Sequence, residues 1–313
     1  MRPIRFLPEE TKIDFIGKRF AAFVISALLL AISLGALLTQ GLNLGIDFRG
    51  GILIEAQAPR PVDVADLRDR LAGLGLGEVE LQQFGGPRDL LIRVQQQDGG
   101  EAAQSGAVAK VRGLLGDSYE YRRVELVGPK VGNELLRDGI LATVLAVAGI
   151  TLYVAFRFEW HFGVAALVAT FHDVLTTVGL YAVLGLEFNL TSVAALLTLA
   201  GYSINDTVVV FDRIREAMRR HKTTDMRTIV NMSVNQTLSR TILTSGTTLA
   251  AILPLLVFGG STLFNFSLAL TWGILIGTFS SVFVAAALLL YMRPLRRPAS
   301  ASATEQEETA SPV

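Results

Sequence analysis

The chain has no cysteine. A disulfide framework, a zinc–thiolate site and a thiol nucleophile are therefore excluded, and the redox compartment cannot be read. Charge is scarce: Asp, Glu, Lys and Arg make up 18% of the residues, against about a quarter in an ordinary soluble domain. Neither sign is in excess, with 28 basic and 28 acidic residues. A nucleic-acid partner held by bulk positive charge is thereby excluded. No glycine-rich phosphate loop is present, so nucleotide use by this chain is not expected. No metal-ligand cluster stands out, and no cofactor is expected. What is abundant is apolar: 51% of 313 residues, with mean hydropathy +0.46. A soluble enzyme has no place for that surplus; a bilayer does.

A spanning helix needs roughly 20 apolar residues. Phe20 to Ile46 carries no charge. Gly139 to Phe156 is a second such run, and Phe162 to Leu186 a third, interrupted only by His172 and Asp173. Phe188 to Phe211 is a fourth, interrupted only by Asp206. From Arg240 to Arg293 no other charge appears, and Gly259-Gly260-Ser261 divides that stretch into spans near 232–258 and 265–292. Six spans result. The first is too long for a signal-peptide core and lacks a small-residue cleavage site, so it reads as a permanent anchor.

Direction follows the basic residues. Arg2, Arg5, Lys12, Lys18 and Arg19 precede span one. Arg157 lies between spans two and three, six Lys or Arg between spans four and five, and Arg293, Arg296 and Arg297 after span six. The turns near Glu187 and Ser261 have none; Arg49 and Arg137 oppose the assignment but are outnumbered. The expectation is two cytoplasmic termini and a periplasmic segment over residues 47–136. The division is 1–19 as N-terminus, 20–44 as span one, 45–136 as outer domain, 137–292 as spans two to six, and 293–313 as a disordered tail.

The outer segment reads as strand (Ile52–Ile54), helix (Asp63–Leu74), strands (Val79–Phe84 and Leu90–Val94), helix (Ala102–Leu115) and strand (Tyr119–Val127). Pro87 sits in the turn between the middle strands. This βαββαβ order predicts a small ferredoxin-like α+β domain. The alternation fails in the last strand, where Tyr119 and Tyr121 share a face with Arg123 while Val124 and Leu126 take the other. No catalytic set appears in the domain; a docking or gripping role suits it.

Ionisable residues inside spans cost about 2.5–3.5 kcal/mol on insertion scales and normally face the bundle interior. Asp206 lies seven residues before Arg213, roughly 10 Å into the helix, with Ser203 and Asn205 near as hydrogen-bond donors; a helix end at the headgroups is the bland alternative. Thr237, Arg240, Thr241, Thr244, Ser245 and Thr248 recur at helical spacing as one polar stripe on span five. Arg240 either pairs with Asp206 or snorkels to the interface. His172 and Asp173 lie midway along span three, as a structural pair or a relay. Low dielectric favours a carboxylate's protonated form and an adjacent guanidinium its ionised form. A carboxylate that meets and leaves its arginine can therefore carry a proton.

Several ordered motifs then resemble one family. They are Gly45-Ile-Asp-Phe-Arg-Gly-Gly51, Val127-Gly-Pro-Lys-Val-Gly-Asn-Glu134, Gly201-Tyr-Ser-Ile-Asn-Asp-Thr207 with Phe211-Asp-Arg-Ile-Arg-Glu216, and Gln236-Thr-Leu-Ser-Arg-Thr241 with Thr244-Ser-Gly-Thr-Thr248. Over roughly residues 12–292 the sequence is similar to the SecF-like subunits of the bacterial SecD–SecF export factor, in the RND transporter superfamily. The resemblance implies an RND-type half bundle in the inner membrane that is not an enzyme. It implies SecD, the SecYEG channel, YajC and translocating preprotein as partners. It also implies that the proton-motive force drives late steps of export, and places the proton-conducting Asp and Arg on Asp206 and Arg240. Its coupling ion is H+; an intramembrane carboxylate alone does not separate H+ from Na+.

A proton-driven efflux or lipid exporter of the same superfamily is a second reading, opposed by the small outer segment. An intramembrane aspartyl protease using Asp173 and Asp206 is a third. Ser203-Ile-Asn-Asp206 stands where a Gly-x-Gly-Asp signature would be required.

Overall fold

In the computed structural model of the chain, residues 11–83 and 86–292 are described. Arg2, Arg5, the basic residues after 292, the expected tail, and Phe84-Gly85 lie outside them. Helix α1, Arg19–Thr39, ends five residues before the expected boundary at 44. Gly41 takes φ +72°, where only glycine is comfortable, and the chain leaves the helix although its composition stays apolar. Asn43–Leu44 form a short strand β1, followed by one helical turn, α2, Ile46–Arg49.

The outer domain follows as β2 Gly51–Gln57, α3 Val64–Ala72, β3 Val79–Gln83, β4 Asp89–Val94, α4 Gly100–Leu115 and β5 Glu120–Val127. The sheet order is β3-β4-β2-β5, antiparallel throughout, the split βαβ arrangement of the expected ferredoxin-like domain. Asp63 caps α3 by accepting the Ala65 and Asp66 N–H groups. Leu67 and Leu71 of α3, with Ala107, Val111 and Leu115 of α4, pack on Ile52, Ile54, Leu90 and Ile92. The broken alternation of the last strand has a cause. Register against β2 shifts between Glu55 and Ala56. This bulge reverses side-chain parity, so Tyr121 and Val124 both pack toward the helices. The opposite sheet face is covered as well: Leu53, Leu91 and Val127 meet Ile46 of α2.

Five more long helices follow. These are α5 Pro129–Arg157, α6 Trp160–Leu184, α7 Leu190–Arg220, α8 Met226–Phe258 and α9 Gly260–Ser280, with a short strand β6, Glu187–Phe188, between α6 and α7. After α9 a π-helical stretch, Ser281–Ala285, leads into α10, Ala286–Leu288. Among the described residues, six helical segments are long and apolar enough to cross a membrane. Helix α5 begins ten residues before its charge-free run, because the turns bearing Glu134, Arg137 and Asp138 stand outside the apolar stretch. Gly259 caps α8 and Gly260 takes φ +63°, so the expected break between spans five and six falls there.

Helix α7 packs on α5, α6, α8 and α9, which makes it the central helix of the bundle. Close approach rests on small residues, as in membrane helix pairs generally. A Cβ at Gly179 of α6 would lie 2.2 Å from Ser33 of α1, and one at Gly273 of α9 would lie 2.4 Å from Leu199 of α7. At the basic end of the bundle, residues before α1 lie across α8. Asn235 Oδ1 accepts the Ile13 N–H at 2.9 Å, and Asn231 Oδ1 accepts the Phe15 N–H at 2.9 Å.

Candidate functional site

Helix α7 starts where Asn189 and Ser192 form a reciprocal capping box. It then runs through the bundle with Val193, Leu196, Leu199, Ala200, Ser203, Asp206, Thr207 and Val210 buried. That periodicity puts Asp206 on the inward face, 3% exposed. It is 16 residues past Leu190, about 24 Å along the helix, and so far from either end. The helix continues past it through charged turns to Arg220.

Facing it is the polar stripe of α8. Thr244 Oγ1 lies 3.4 Å from Asp206 Oδ1 and 3.0 Å from the Thr241 carbonyl, so one hydroxyl proton is divided between them. Asp206 Oδ2 has no hydrogen-bond partner among the described residues, and neither has the buried Thr241 hydroxyl. Ser245 is buried and bonds Thr278 of α9 at 2.7 Å. Thr237 bonds back to the Ser233 and Val234 carbonyls. Arg240 is exposed and makes no ion pair with Asp206 among the described residues.

The donors that spacing offered to Asp206 go elsewhere. Asn205 is exposed, because neighbouring residues on a helix diverge by about 100°. Ser203 is buried but donates to Asp173 Oδ2 of α6 at 2.5 Å. Asp173 is 0% exposed and is the better satisfied carboxylate. His172 Nδ1 lies 2.9 Å from its Oδ1, and Ser280 of α9 donates to its Oδ2 at 2.7 Å. Three helices, α6, α7 and α9, meet on this one side chain. The sequence reading missed Ser280, one hydroxyl in an apolar run. Its signal is the serine pair Ser280-Ser281, and the π-helical stretch begins at the second of them. Such π-bulges often mark functional positions.

The two carboxylates thus have different surroundings. Asp173 is saturated by hydroxyl and imidazole neighbours, whereas Asp206 keeps one oxygen without a hydrogen bond among the described residues. No hydrogen bond joins them among the described residues, so the shared-proton dyad of an aspartyl protease is not formed.

Comparison with known proteins gives a consistent picture. Residues 107–294 match the family described as protein export membrane protein SecD/SecF, C-terminal, and residues 35–61 match the SecD/SecF GG motif. The protein translocase subunit SecF of Magnetococcus marinus is 47% identical, covering 95% of this chain and 97% of its own. That of Cereibacter sphaeroides is 45% identical, covering 92% of each. The protein translocase subunit SecDF of Brucella abortus is 42% identical over 92% of this chain but only 38% of its own length. The crystal structure of SecDF from Thermus thermophilus superposes with a TM-score of 0.83 at 38% identity, over 91% of this chain and 39% of that one. A SecDF structure in a super-membrane-facing form gives a TM-score of 0.68 at 36% identity, over 99% of this chain and 42% of that one. The chain therefore spans about two fifths of the solved SecDF chains it resembles.

Proposed function

The chain belongs to the SecD/SecF family of protein export membrane proteins, in its SecF branch, and on that premise we propose that it is the SecF-type subunit of a gradient-driven export assembly. It is a multi-pass membrane protein with six apolar helices, and its placement here is the inner membrane, termini cytoplasmic and residues 47–136 periplasmic. SecD is its first partner. The SecDF relatives, of which this chain spans about two fifths, support that partner. SecYEG, YajC and the translocating preprotein complete the assembly. The chain is a transport component rather than an enzyme, and it needs no cofactor.

The observation that carries this reading is Asp206. A carboxylate buried mid-helix, with one oxygen free and a stripe of hydroxyls opposite, has the means to receive and release a proton. Arg240 enters from the neighbouring helix as its charge partner when α7 and α8 shift. One charge crossing 100 mV gains about 2.3 kcal/mol, enough to bias a movement of the outer domain. His172 and Asp173, with Ser203, hold the frame in which this happens. No observation favours the efflux reading.

The test is completion of translocation in inverted vesicles containing SecD and the channel. Asp206→Asn and Arg240→Met should remove the gradient-dependent part while leaving the ATP-driven part, and an uncoupler should then have no further effect. Replacing H+ by Na+ as the imposed gradient should not sustain the parent. Full gradient-dependent export by Asp206→Asn would remove the proposal.

A further inference from the structure

The outer domain is tied to the helix that carries Asp206. β1 and β6 pair in parallel, with Asn43 opposite Glu187 and Leu44 opposite Phe188. Arg93 reaches from β4 to Glu187 at 2.5 Å and to Asn43 Oδ1 at 3.4 Å, while Glu80 flanks it at 3.2 Å. The Arg93 and Glu187 side chains are only 13% and 14% exposed, so water screens this ion pair far less than a surface one. Asp47 Oδ2 accepts the N–H of Leu190, the first residue of α7, at 2.9 Å. Asn265 of α9 donates to the Glu187 carbonyl at 3.3 Å. The fit is tight, since a Cβ at Gly45 would lie 2.6 Å from Glu187 Oε1.

Helix α7 contains no proline along its 31 residues, so it lacks the proline kink that would absorb a tilt or an axial shift. A displacement at Asp206 therefore arrives at Leu190, and there it meets Asp47, β1 and the Arg93–Glu187 pair.

We propose that Arg93, Glu187 and Asp47 form a clasp through which movement of α7 is passed to the outer domain, which makes them positioning residues for export. This rests on the gradient-driven reading above. It adds where the bundle grips the domain and through which side chains.

The test uses the whole chain with SecD and the channel in proteoliposomes. The absence of native cysteine leaves a clean background for spin labels at Glu101→Cys in α4 and Thr39→Cys at the end of α1. Arg93→Gln strands the poorly hydrated Glu187 carboxylate, and Glu187→Gln leaves Arg93 with only the half-exposed Glu80, whereas the double variant leaves no poorly hydrated charge. Each single variant should broaden the label-to-label distance distribution and lower gradient-dependent export about fivefold or more, while the double variant should recover to within about twofold. Asp47→Ala should act like a single variant. An unchanged distance distribution in every single variant would overturn the clasp. Broadened distances with export at the parental rate would overturn the coupling and leave a static tie. Absence of gradient-dependent export in the parent would overturn the underlying reading and the coupling with it, whatever the distances show.

Discussion

Asp173 and Asp206 carry the same functional group on neighbouring helices, and their surroundings give them different work. Asp173 accepts from two serines and faces an imidazole nitrogen. Removing it strands the Ser203 hydroxyl and the His172 ring nitrogen, each costing about 1–3 kcal/mol, while Ser280 keeps the Gly277 carbonyl. Asp173→Ala should therefore lower stability by about 2 kcal/mol or more, seen as a large fall in the midpoint of thermal unfolding in detergent. Asp173→Asn should stay close to the parent: its oxygen can face the two hydroxyls and its amide the imidazole. If the Ala and Asn variants unfold alike, the hydrogen-bond account of this node is wrong. Both carboxylates were legible in the sequence, because a charge inside a span demands an explanation. The sharing out of donors was not. Ser203 sits in the Asp206 motif yet serves Asp173, and only the rotation of α7 against α6 and α9 decides that.

Helices in this bundle meet where glycine lets them. Gly179 has the Ser33 backbone and side chain against it, with Ser33 Cα 2.7 Å from where an added methyl carbon would sit, while Gly201 of α7 has open space around it. Gly179→Ala should destabilise by about 1–3 kcal/mol, since two helix backbones must separate. Gly201→Ala should be neutral or stabilise by up to about 1 kcal/mol, through helix propensity alone. Thermal unfolding of the two variants side by side checks this, and equal shifts would refute the close-packing account. Composition cannot separate the two glycines, as both lie in apolar helical runs. Charge-free runs did locate all six spans, but not their ends. Thr39, Pro129 and Arg220 bound their helices through Gly41, through the N1 proline and through the charged turns beyond Phe211, none of which hydropathy registers. The imperfect last strand of the outer domain was visible as a fault in alternation, and the bulge at Glu55 and Ala56 explains it.

At the scale of the molecule, two layers are joined through α7. The outer domain is cored on one face by its own helices and on the other approaches α2 and the outer ends of the bundle. α1, α5 and α8 turn large apolar side chains outward, among them Leu38, Phe156 and Phe258, as lipid or a membrane partner requires. Within that frame the central claim is that the Asp206 carboxylate takes up and releases a proton during the working cycle. Difference infrared spectroscopy on the reconstituted protein with SecD, under an imposed proton gradient, tests it most directly. The account predicts a protonated-carboxyl band that responds to the gradient in the parent and in Asp173→Asn and is missing in Asp206→Asn. The same band at full amplitude in Asp206→Asn would contradict it.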